Sequence, residues 1–179
     1  MLYTEARPMI ASGDLLAFSN AGPISRLIRA WTGGTWNHVG IAWRYRARVF
    51  VMAAKEGHGV YNVALSTQLP VYWLRTGIAW TDEIEALATE QLGLPYSYPD
   101  CCRVALGLVP RNRFEVCSVY AATILKAAGI DLPEPSYTPS GLVSAMMAHG
   151  AEMREIVADS DTLARSPEKF IAPCLSPVL

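Results

Sequence analysis

The apolar positions of the chain change period several times, and each change marks a predicted element. "GDLLAF" at 13–18 reads as a turn followed by a short strand. "GPISRLIRAWTGG" at 22–34 has helical spacing, with Ile24, Leu27, Ile28 and Trp31 on one face, Pro23 at the first position and Gly33 and Gly34 as the stop. Residues 37–60 read as a β-hairpin: two apolar arms rich in β-branched and aromatic residues flank the polar turn "RYRAR". "PVYWLRT" at 70–76 is a third strand.

A helix follows at 81–95, with Thr81 as its cap, Ile84, Leu87, Ala88 and Leu92 as its buried stripe, and Gly93 and Pro95 at its end. Residues 99–114 carry no clear period, although "CCRVALGL" fits a short helix. Another helix opens at Cys117 and runs to about Ala128 before Gly129, and a last one covers 139–149 before Gly150. Strands clustered between helices predict an α+β domain over 1–157, and the polar, Pro-bearing stretch 158–179 reads as a surface tail.

Composition narrows the function classes. With 179 residues, 51% of them hydrophobic and 17% charged, the chain can bury a substantial core. Fifteen basic against sixteen acidic residues give a net charge of −1, which supplies no general attraction to nucleic acid or anionic membrane. The local clusters Arg44, Arg46, Arg48 and Arg111, Arg113 read as solvated turns, with an anionic ligand as the alternative. No apolar run is long enough for a membrane helix, and "MLYTEARPMIASGD" lacks the order of a secretory signal. The expectation is a cytoplasmic product as synthesised, with release by lysis or delivery with a phage particle as routes elsewhere. Cys101, Cys102, Cys117 and Cys174 form neither a disulfide framework nor a zinc pattern, so no cofactor is expected.

Cys117 stands where a helix N-terminus would stabilise a thiolate, on a face shared with Ala121, Ile124, Leu125 and Ala128. A free cysteine is also a common packing residue, and the helix alone leaves both readings open. Of the three histidines, His149 suits a helix C-terminus and His58 a glycine-flanked turn. His38 opens an apolar strand after "TWN", where it could face a helix terminus as a base. If the hairpin turn centres near Arg46, His38 faces residues 54–56, which makes Glu56 the candidate to orient it. A one-residue slip would substitute Lys55 or Ala54, and His58 is the fallback.

In order, "GDLLAF", "WNHVGIAW", a second strand ending in "GHGV", "VYWLR", "GLPYSY" and "VCSVYAATILKAAGI" resemble one family. It is the circularly permuted NlpC-type papain-fold hydrolases of the YiiX-like group, related to lecithin:retinol acyltransferase-like proteins. The resemblance covers roughly residues 12–145 and implies a helix packed on a small antiparallel sheet. It implies Cys117 as nucleophile, His38 as general base and a polar third residue on the next strand. Many relatives have Glu-Ala there; here the stretch is "VFVMAAKEG", which leaves Glu56 as a displaced substitute. Tyr96 would frame the oxyanion, and Trp36 and His58 would line the substrate site. The implied function is a cysteine hydrolase acting on an amide, with cell-wall-type peptides as substrate. A lipid acyl substrate and a catalytically impaired binding module are the alternatives.

Overall fold

A computed structural model of the chain describes residues 1–19, 34–106, 108, 110, 116–132 and 138–165. The expected helix at 22–34 (Gly34 apart), the Arg111 and Arg113 cluster and Cys174 lie outside the described residues.

The fold is α+β, built on a six-stranded antiparallel sheet in the order β4-β3-β2-β1-β5-β6. The strands are β1 (Leu15–Phe18), β2 (His38–Tyr45), β3 (Arg48–Lys55), β4 (Gly59–Ala64), β5 (Val71–Leu74) and β6 (Met153–Ile156). The helices are α1 (Tyr3–Ala6), α2 (Asp82–Thr89), α3 (Tyr98–Ala105), α4 (Cys117–Ala127), α5 (Pro139–Ala148) and α6 (Ser160–Arg165).

Strand alternation divides the core between the two faces of the sheet. Leu15, Ala17, Val39, Ile41, Met52, Ala54 and Leu74 face α2, α4 and α5. Leu16, Phe18, Ala42, Val51, Ala53 and Trp73 face the other way, towards α1. The α4 stripe expected from the sequence does pack on the sheet, since Cys117, Ala121, Ile124 and Leu125 join the first cluster. The Tyr120 hydroxyl donates to the Ala88 carbonyl at 2.9 Å and fixes α4 against α2. Gly129, at φ +88°, ends α4 in the left-handed conformation that only glycine adopts without strain.

Several expectations shift. The hairpin turns at Arg46 and Ala47, but its second arm ends at Lys55, and residues 59–64 form a separate strand, β4. The helix expected over 81–95 stops at Thr89; Gly93 and Leu94 instead bond across to Val60, through Gly93 N–H to Val60 O and Val60 N–H to Leu94 O, each 2.8 Å. Arg44 is no solvated turn residue. Its guanidinium donates to the carbonyls of Arg7 and Ile10 and ties β2 to the segment after α1. The buried Asp14 carboxylate similarly ties β1 to β5, accepting from the Trp73 indole at 2.7 Å and the Thr76 N–H at 3.1 Å.

Candidate active site

The residue before α4, Val116, is extended (φ −128°, ψ 138°) and makes no side-chain cap hydrogen bond. The backbone N–H groups of Cys117 and Ser118 are directed at the Cys117 sulfur, and so is that of Val39 in β2. Val39 has this freedom because the β2–β3 ladder runs only from Tyr45–Arg48 to Ile41–Met52 and does not extend to it. Cys117 is 6% exposed. The amides of Val39, Ser118 and Cys117 itself favour a thiolate there, but burial outweighs them.

His38 directly precedes Val39. Its register partner in β1 is Phe18, and the two rings lie 5.5 Å apart. This places His38 on the Phe18 side of the sheet, whereas Val39 occupies the side covered by α4. Among the described residues no hydrogen bond joins the imidazole to the sulfur.

The hairpin register decides what lies across from His38. A Cβ built on Gly40 would lie 3.1 Å from that of Ala53, so the register continues past Ile41–Met52. The ladder itself ends at Ile41–Met52, and by the same count Lys55, not Glu56, would stand across from His38. The histidine senses this ammonium: burial first, and then Lys55, push its pKa down to about 4. Glu56 belongs instead to the turn between β3 and β4. Burial is the main cause that raises Tyr96 and Cys101, and the Glu56 charge adds the last and smallest part.

Burial above all, with Cys117 and Cys101 beside it, raises the Tyr96 phenol. Cys101 in turn packs against the cluster of Val104, Val116 and Val119 beside the start of α4. Tyr61, on β4, also couples to Cys117. Burial and then that coupling push its phenol up to about 12. The sequence names Lys55 only as the product of a one-residue slip, and does not point to Tyr61. For Tyr61 the missing signal was β4 itself, and for Lys55 it was the register.

The other two candidates stand further out. Trp36 is anchored to α5 through its backbone N–H, which donates to the Ser140 hydroxyl at 3.0 Å, and its ring lies 4.5 Å from that of Tyr72. His58 is exposed. Its Nδ1–H donates to the Glu56 carbonyl at 3.1 Å, and its ring leans on Tyr61.

At rest these groups are neutral. Burial pushes the Cys117 thiol up to about 11 despite the three amides, and His38 titrates near 4. Moving the proton from sulfur to imidazole is uphill, because burial disfavours the charged form of each. A substrate that displaces Lys55 from His38, or places a dipole at the sulfur, would lower that step.

No family model matches the chain, and no curated protein matches it in sequence. Among solved structures, it is similar to the metalloprotein yiiX from Escherichia coli O157:H7, a DUF1105 protein. The TM-score is 0.54 over 88% of this chain and 93% of that one, at 16% identity. At this identity the likeness is one of fold. Among the described residues no group of three or more His, Cys, Asp or Glu side chains is placed to hold a metal. The chain thus has a YiiX-like α+β fold with a thiol niche where α4 meets β2.

Proposed function

We propose that the protein is a cysteine hydrolase of the permuted papain-like kind. In this reading Cys117 is the nucleophile, His38 the base, and an amide in cell-wall-type peptides the substrate. One observation carries it: the Cys117 sulfur at the start of α4 is met by three backbone N–H groups, one of them from the residue after His38. Substrate binding draws the imidazole to the sulfur, and His38 accepts the thiol proton. The thiolate adds to the carbonyl, and the amine departs with the proton from His38. Water, deprotonated by His38, then releases the acid from the thioester. The same amides serve the developing oxyanion, with Tyr96 beside them as a further O–H donor.

A second reading keeps this chemistry but takes a lipid acyl group. It is favoured by the exposed apolar side chains Leu94, Tyr98, Leu106 and Leu108, on the segment that carries Tyr96 and Cys101. Incubating the protein with purified muropeptides and, separately, with long-chain acyl esters distinguishes the two. New amino termini from the muropeptides are expected. Release of fatty acid alone would replace the first reading with the second, and cleavage that survives Cys117→Ala would remove both.

A further inference from the structure

On the face of the sheet away from Cys117, α1, the β2–β3 turn, the end of β4 and α6 enclose a cavity of about 400 Å³. Val49 and Ala64 give it apolar wall, and Arg7, Arg48, Ser66, Asp161 and Thr162 line it as well. Asp159 fastens two of its walls together. Its carboxylate accepts from the Thr4 N–H of α1 at 2.9 Å, and from the N–H and hydroxyl of Thr162 in α6 at 2.7 Å each.

Tyr3 lines this cavity although it is only 6% exposed. Among the described residues its hydroxyl has no protein hydrogen-bond partner, and no sealed side-chain oxygen lacks one. The hydroxyl is therefore not sealed from solvent, on a residue that lines the cavity. Arg7 and Arg48 contribute two guanidinium groups that no described carboxylate pairs by ion bridge. Planar guanidinium forks and a phenolic O–H are the donor set that oxygen anions select.

We infer that this cavity binds a small organic oxyanion, a phosphate or carboxylate group held by Arg7, Arg48 and the Tyr3 hydroxyl. The volume lies in the range of small-molecule sites and exceeds what the head group alone fills, so the remainder rests on Val49 and Ala64. Burial keeps the Tyr3 phenol above its usual range, which preserves it as a donor at neutral pH. This site is separate from the thiol chemistry, and nothing in it depends on Cys117.

Titrating the full chain with inorganic phosphate and with succinate, at ionic strength fixed by sodium chloride, tests the assignment by calorimetry and amide NMR shifts. Saturable binding of at least one is expected, with shifts centred on Tyr3, Arg48 and Thr162; whichever binds identifies the head group. Arg48→Gln and Arg7→Gln should each weaken it about tenfold, as loss of a charged hydrogen bond implies. Cys117→Ala should bind unchanged. Arg48 is exposed at the hairpin, so its variant tests the site even if Arg7→Gln folds poorly. No saturable binding of either anion at roughly 10 mM, or affinity indifferent to Arg48→Gln, would overturn the assignment.

Discussion

At the scale of single residues the account rests on two titrations with opposite signs. His38 has a folded pKa near 4, below its unfolded value of about 6.5. Between those values the unfolded chain binds the extra proton, so stability is full above about pH 6.5 and falls as the pH drops towards 4. The loss is on the order of 3 kcal/mol. Urea unfolding from pH 4 to 8 should show it, and His38→Gln should flatten that limb. Cys117 behaves in the reverse sense. Its folded pKa near 11 lies above the unfolded thiol, so stability is lost as the pH rises from about 9 to 11. Cys117→Ala should remove that loss. Lys55 offers a finer probe, because removing its charge relieves one of the two causes depressing His38. Lys55→Met should raise the imidazole pKa in NMR titration, yet leave it below 6.5, since burial is the larger cause. An unchanged value would place the ammonium away from the ring.

At the scale of elements, the connection between β3, β4 and the segment after α2 is the tightest joint near the site. Gly59 sits at φ +72°, and a Cβ there would fall 2.1 Å from the Leu94 carbonyl oxygen, the acceptor of the Val60 N–H. Gly57, at φ +74°, has open space around it. Gly57→Ala should thus cost only the backbone strain of about 1–2 kcal/mol, and Gly59→Ala clearly more, because the bond to Leu94 must also give way. Equilibrium unfolding of the two variants makes the comparison. In α4, Ile124→Ala should cost about 2–5 kcal/mol, as expected for a fully buried aliphatic side chain. Much of this layer was legible in sequence. The turn at Arg46, the face of α4 and its stop at Gly129 follow from periodicity and turn chemistry. Two strands escaped. In "GVYNVA" the alternation begins directly after a glycine-rich turn and reads as the end of the preceding arm. In "MREI" only Ile156 is buried, because β6 is an edge strand. Without β4, Tyr61 had no place. The pairing of Cys117 with His38 came from the resemblance, since no periodicity links residues so distant in sequence; which face of the sheet His38 takes required the register with Phe18.

At the scale of the whole molecule, one antiparallel sheet separates two chemistries. Its helical side carries the thiol niche, and its α1 side carries His38, Phe18 and, further along, the Arg7–Arg48 cavity. Among the described residues no helix is long and apolar enough to cross a membrane. The central claim is that Cys117 forms a covalent acyl intermediate with the help of an imidazole that begins on the other face. Its most direct test is intact-mass spectrometry of the protein quenched during turnover of muropeptides or acyl esters, with peptide mapping of the adduct. The account predicts an acyl group on Cys117, absent in Cys117→Ala and formed about 10²–10⁴-fold more slowly in His38→Ala. An adduct elsewhere, or substrate consumed with Cys117 never acylated, would contradict it; so would an unmodified protein that consumes none of these substrates, which would leave a binding module of the same fold.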